Sequence, residues 1–143
     1  MIRWIVVVLG LVLVISTGYV IYSRDGVDAR VAEELRTNPQ GERAQRTMLV
    51  TLMNGRTLPV NYLREDGLIF MGIDGLWWRE FVGAGQSVEM FIQGETIRGH
   101  GTVVLDNPEY TADIFSRLRP KAPSWLPVWL NGKLVVITVS DEA

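Results

Sequence analysis

Residues 4–22 carry no charged side chain (W-I-V-V-V-L-G-L-V-L-V-I-S-T-G-Y-V-I-Y), and this run constrains the chain more than any other feature. At ~1.5 Å per residue, a helix of that length matches the ~30 Å thickness of a bilayer's hydrocarbon core. In lipid a helix satisfies its own backbone donors and acceptors, which an open strand or coil cannot do. The run is apolar all round, unlike the one-sided stripe of a helix on a soluble domain. Trp4, Tyr19 and Tyr22 sit at its two ends, where amphipathic rings favour the membrane interface, and Arg3 and Arg24 bracket it. The expectation is a single membrane-spanning helix within residues 1–23 that contacts lipid through residues 4–22. A cleaved signal peptide is the alternative, because Ser16-Thr17-Gly18 offers small residues after an apolar core. The apolar run continues past that point, which favours a retained single-pass anchor. Arg24, Arg30 and Arg36 on one side outnumber Arg3 on the other, so the basic-residue bias leans towards a cytoplasmic C-terminal domain.

The remainder of the 143 residues suits one domain. The formal net charge of −2 gives no field that would draw nucleic acid. With no cysteine there is no disulfide, thiolate ligand or thiol nucleophile, and with one histidine, His100, there is no multi-histidine metal site. No catalytic dyad and no metal-ligand cluster is legible in the residues.

After the apolar run, Asp25-Gly26 opens a polar stretch, and Val27, Val31 and Leu35 recur at four-residue spacing. That pattern predicts a separate short amphipathic helix ending near Thr37, followed by a linker at Asn38-Pro39-Gln40-Gly41. Residues 24–43 form this connection, and residues 44–143 form the domain. The domain is strand-dominated. Strands are expected at 47–53, 56–64, 68–73, 87–93, 96–105 and 134–139, separated by Asn54-Gly55, Asp66-Gly67, Asp74-Gly75, Gly94-Glu95 and Asn131-Gly132. Pro59 inside the second strand implies an edge position or a bulge. Residues 77–82 read as one or two helical turns, and Asn107-Pro108 opens a helix to about Leu118. The fold class expected is mainly β: a six-stranded antiparallel split barrel with short helices, behind one transmembrane helix.

The run T-M-L-V-T-L-M-N-G-R-T-L-P-V-N-Y over 47–62, with Gly55-Arg56, Pro59 and Tyr62, resembles the opening of the deazaflavin-dependent nitroreductase family. That family belongs to the split β-barrel flavin-binding superfamily, with pyridoxamine phosphate oxidases as cousins. The order Asp66-Gly67, 68–72, Asp74-Gly75 and Trp77-Trp78-Arg79-Glu80-Phe81 resembles its next block, and the resemblance extends over about 44–140. Two features depart from the pattern: Thr57-Leu58 follow Gly-Arg where basic or small polar residues are usual, and Glu80 replaces an asparagine.

The resemblance implies a deazaflavin coenzyme, or FMN as the lesser choice, and hydride transfer to a lipophilic acceptor such as a quinone or nitroaromatic. In such chemistry the cofactor ring reacts and the protein binds, orients and tunes it. The cofactor-binding positions it implies are Gly55, Arg56, Pro59, Tyr62, Gly72, Ile73, Asp74, Gly75, Trp78 and Arg79. Arg56 leads as a phosphate ligand, since a guanidinium makes paired hydrogen bonds to phosphate oxygens. The backbone of 72–75 could approach an anion, and the helical start at Trp77-Trp78-Arg79 could add N–H donors. Tyr110, Trp125 and Trp129 would line the acceptor pocket. Each has an ordinary structural alternative: a solvated hairpin arginine, a strand-ending turn, tryptophans plugging a barrel end, and aromatics packing a helix on the sheet. His100 reads as a strand histidine at a surface or interface, with Gly99 and Gly101 marking close approach of another backbone or a subunit. Two functions therefore compete: a membrane-anchored reductase, and a non-catalytic tethered barrel that binds or scaffolds, with a homodimer as one form of it. An open groove lined by Arg56, residues 72–75 and Arg79 would favour the first; a groove filled by Trp77 or Trp78 would favour the second.

Overall fold

The computed structural model describes residues 1–127 and 130–140, with the backbone alone for 20–27. One helix, α1 (Ile2–Thr37), occupies the whole N-terminal quarter. The break expected at Asp25-Gly26 is absent: the helix passes straight through. A single interior glycine costs about 1 kcal/mol against alanine. That is less than the loss of helix hydrogen bonds and of the packing beyond it. Val31, Ala32 and Leu35 dock on the barrel, where Leu35 is buried with Ala44 and Leu49. The helix stops at Asn38, whose N–H donates to Glu34 O at 2.8 Å, with Pro39 next. Its first part is of another kind. Ile2–Tyr19 has a mean hydropathy of 2.0 and none of it is buried, so it is long and apolar enough to cross a membrane.

Six antiparallel strands follow: β1 (Thr47–Thr51), β2 (Thr57–Glu65), β3 (Leu68–Ile73), β4 (Gln86–Ile92), β5 (Glu95–Val104) and β6 (Lys133–Val139). They close a barrel in the order β1-β2-β3-β6-β5-β4. This is the six-stranded antiparallel barrel with short helices that the alternation and turn residues predict. β1 ends at Thr51, two residues early, because the Leu52 N–H donates to Arg56 O and the Gly55 N–H to Leu52 O, closing the turn. A 3-10 helix at Leu76–Phe81 joins β3 to β4, and α2 (Pro108–Leu118) joins β5 to β6. The Asn107 side chain caps α2 by accepting from the Tyr110 N–H at 3.2 Å.

Alternating strand residues fill the interior with Met48, Val50, Ile69, Met71, Met90, Val135 and Ile137. Phe81, fully buried, closes one end. Outside, α2 packs Ile114, Phe115 and Leu118 on Phe70 of β3 and Leu134 of β6. The two barrel ends differ in construction. The upper end carries the short turns at 66–67 and 93–94. The lower end carries the connections 52–56, 74–85 and 105–132. α1 runs down the outside: Asn38 lies near Thr47 at the top, and Asp28, Ala29 and Ala32 lie near Arg56, Thr57 and Leu58 at the bottom.

Candidate functional site

The β2–β3 ladder begins at Tyr62↔Met71 and runs upward to Glu65↔Leu68. Below it β2 pairs with β1 alone, and Pro59 sits in this stretch opposite Leu49. Proline has no N–H to give a second neighbour, so an edge-like position suits it. The parting of β2 from β3 opens a cleft of about 320 Å³ lined by Pro59, Val60, Asn61, Gly72, Asp74, Gly75 and Trp77, with Val31 and Arg43 on one side and Arg119 on the other. That volume is at the small end of the ~300–1,000 Å³ typical of ligand pockets.

Gly72 allows the wall to form. A Cβ there would stand 2.7 Å from Phe115 Cε1 and 2.8 Å from Arg119 Nη2. Without it, the Arg119 guanidinium lies across the strand. Its Nη2 donates to Gly72 O at 3.2 Å and to Asp74 Oδ2 at 3.2 Å, while Nη1 donates to Asp74 Oδ1 at 2.7 Å and to Asn131 O at 2.8 Å. The guanidinium carbon also lies 5.1 Å from the Phe115 ring centroid. Arg119 is 19 % exposed, so this network is largely sheltered and fixes the 72–74 turn to the end of α2. Arg43 pairs with Glu34 at 2.8 Å. Trp77 forms a wall and meets Phe81 edge-on at 6.1 Å between centroids.

The structure brings Pro59, Gly72, Asp74 and Gly75 together with Trp77. The other sequence-predicted positions lie elsewhere. Gly55 and Arg56 sit at the hairpin tip, where Arg56 Nη1 lies 3.9 Å from Glu80 Oε1 and its surroundings are Asp28, Ala29, Ala32 and Arg36. Tyr62 donates its hydroxyl to Ala44 O at 3.0 Å, and burial pushes the phenol above its ordinary value of 10.0. Ile73 faces the barrel interior and is 1 % exposed. Trp78 is half-buried, with Arg79 at 5.7 Å and Lys133 at 5.6 Å from its ring centroid. Arg79 is exposed and forms no ion pair among the described residues.

The aromatic group is also spread out. Tyr110 packs edge-on against Phe70 at 6.4 Å under α2, Trp125 is 77 % exposed in the 105–132 connection, and Trp129 lies outside the described residues. His100 is an exposed β5 residue whose Nε2–H donates to Ala84 O. The close approach its flanking glycines signal is internal. A Cβ on Gly99 would meet Thr138 O at 2.8 Å, and one on Gly101 would meet the Phe81 ring at 2.9 Å.

Arg119 and Arg43 are the charged cleft residues that sequence reasoning missed. Arg119 reads as an ordinary cation at a helix C-terminus, and nothing local ties it to Asp74, 45 positions away.

The two cations that line the cleft are already paired, and a phosphorylated flavin or deazaflavin would have to displace their acids. Such a ligand needs cations free to meet its phosphate. Here Asp74 already neutralises Arg119 and Glu34 already neutralises Arg43, while Arg56 faces Glu80 and α1. Among the described residues there is also no group of three metal-ligating side chains.

No protein-family model and no curated protein matches the chain. Solved structures share part of its backbone course. One, from Bacteroides thetaiotaomicron, is assigned to 5-nitroimidazole antibiotic resistance (17 % identity, TM-score 0.43, 69 % of this chain and 75 % of that one). A second, from Listeria innocua, is assigned as a pyridoxamine 5'-phosphate oxidase (12 %, 0.47, 77 % and 95 %). A third is a FAD-binding protein from Mesorhizobium loti (15 %, 0.44, 77 % and 90 %). Those values are low, and nothing about this chain's ligand or reaction follows from them.

Proposed function

We propose that this chain is a membrane-tethered, non-catalytic split-barrel domain that binds or scaffolds at a membrane surface. The observation that carries the reading is the course of α1. One uninterrupted helix joins an unburied apolar window, Ile2–Tyr19, to turns that dock on the barrel through Leu35. A barrel joined in this way is held at a set height above the bilayer. The basic-residue bias, three arginines against one, favours the cytoplasmic side. The pairing of Arg119 with Asp74 and of Arg43 with Glu34 favours this reading over one with a cofactor phosphate in the cleft.

A second reading, a membrane-anchored reductase using a deazaflavin or FMN to reduce a lipophilic acceptor, draws support from one observation. Four positions that the family resemblance implies, Pro59, Gly72, Asp74 and Gly75, line one cleft beside the Trp77 ring. The experiment that separates the two is a fluorescence titration of the full chain in lipid nanodiscs with reduced deazaflavin coenzyme and with FMN. The proposal expects no saturable binding up to tens of micromolar and no near-visible absorbance on purification. Saturable binding, or a cofactor carried through purification, would replace it with the reductase.

A further inference from the structure

Outside α1, six large apolar side chains are exposed among the described residues: Met53 (75 %), Leu76 (69 %), Val82 (49 %), Leu105 (53 %), Trp125 (77 %) and Leu130 (52 %). Five of them, Met53, Leu76, Val82, Leu105 and Leu130, lie close to strand ends at the lower end of the barrel, in the connections 52–56, 74–85 and 105–132, whereas Trp125 belongs to the segment that follows α2. The upper end exposes none among the described residues. Scattered single apolar residues are normal on a surface, but confinement to one end is not.

α1 leaves the barrel at this same end, since Asp28 and Ala29 lie beside Arg56 and Thr57 while Asn38 lies at the top. The sequence is uncharged to Tyr22, six residues before Asp28, which is ~9 Å of helix. The headgroup layer on each side of a bilayer is ~5–8 Å deep. The hairpin tip at 53–55 continues beyond Arg56, and at ~3.3 Å per extended residue it reaches that layer.

A cationic pattern accompanies the apolar one. Arg79 and Lys133, both at the lower end, flank the half-buried Trp78 ring at 5.7 and 5.6 Å, and neither forms an ion pair among the described residues. Indole rings beside unpaired cations suit the zone where apolar chains meet phosphate headgroups.

From these placements we infer that the lower end of the barrel rests in the headgroup layer of the bilayer that α1 crosses, with Met53, Leu76 and Leu105 inserted and Arg79 and Lys133 on lipid phosphates. The inference rests on the tether reading above and adds the orientation of the domain. The barrel stands end-on, its polar turns at 66–67 and 93–94 facing away.

The chain has no cysteine, so nitroxide labels can be placed singly in the full protein. Met53→Cys, Leu76→Cys and Leu105→Cys report the lower end, Thr96→Cys the upper end and Val12→Cys the helix, all at exposed positions. In nanodiscs containing anionic lipid, collision with oxygen and with a water-soluble nickel chelate separates lipid, water and protein surroundings. Nickel accessibility at the three lower labels is expected to be at least about twofold below that at Thr96, with oxygen accessibility undiminished, as for side chains at an interface. Lower labels that match Thr96 while Val12 shows a lipid signature would overturn the docking and leave the tether standing. Lower labels shielded from both reagents would mean a protein partner, such as a second copy, covers the face, and would also overturn it. An aqueous signature at Val12 would remove the tether, and the docking with it.

Discussion

The barrel interior and the barrel's lower rim use the same residue types to opposite ends. Inside, Met48, Val50, Met71, Met90 and Ile137 belong to one buried cluster, and Phe81 closes the bottom with no exposure. At the rim, Met53, Leu76 and Leu105 project into open surroundings, as do the first turns of α1. Apolar character alone therefore does not mark the core. What marks it is position on a pleated strand whose alternate residues point inward. The interior set should govern folding, and the rim set should govern where the folded protein sits.

The strongest way to break that contrast is Phe81→Ala. It should cost about 3–5 kcal/mol, the range for removing a buried phenyl ring, read by denaturant unfolding of the full chain. A much smaller loss would mean the barrel bottom is not sealed. Leu35→Ala comes next. Leu35 holds α1 to Ala44 and Leu49, and its truncation should cost about 2–3 kcal/mol, with faster amide exchange over 28–37.

Tyr62→Phe should cost about 1 kcal/mol through the lost hydrogen bond to Ala44 O. It also sharpens the pH behaviour. Burial raises the folded-state phenol above the ordinary 10.0, so the folded form favours the protonated group. That stability is intact below pH 10.0 and is lost as pH rises through the raised value. The wild type should therefore lose stability more steeply than Tyr62→Phe in alkaline unfolding titrations. The smallest effect belongs to the rim: Met53→Ser should change stability by no more than about 0.5 kcal/mol. A cost as large as that of Leu35→Ala would show that the rim is part of the fold.

The strands and turns were legible because two-residue alternation and Asn-Gly or Asp-Gly pairs are local signals, carried by residues next to one another in sequence. Pro59 was readable for the same reason, as a residue that cannot donate to a second neighbour. The continuity of α1 was not. Asp25-Gly26 argues locally for a break, and the docking of Val31 and Leu35 that outweighs it becomes visible only in the folded chain. The cleft was half legible. Gly72, Asp74 and Gly75 announce a turn that exposes backbone, but the cation that fills it, Arg119, arrives from the far end of α2. Arg56 shows the converse. A hairpin tip fixes where a side chain starts, while the acid it approaches, Glu80, is set by a different loop.

The most direct test of the central claim, that α1 is a retained anchor holding the barrel at a membrane, is alkaline carbonate extraction of cells expressing the chain, with intact-mass analysis of the recovered protein. The account predicts the chain in the membrane pellet with its N-terminal segment uncut. A soluble species shortened to just beyond Gly18 would contradict it.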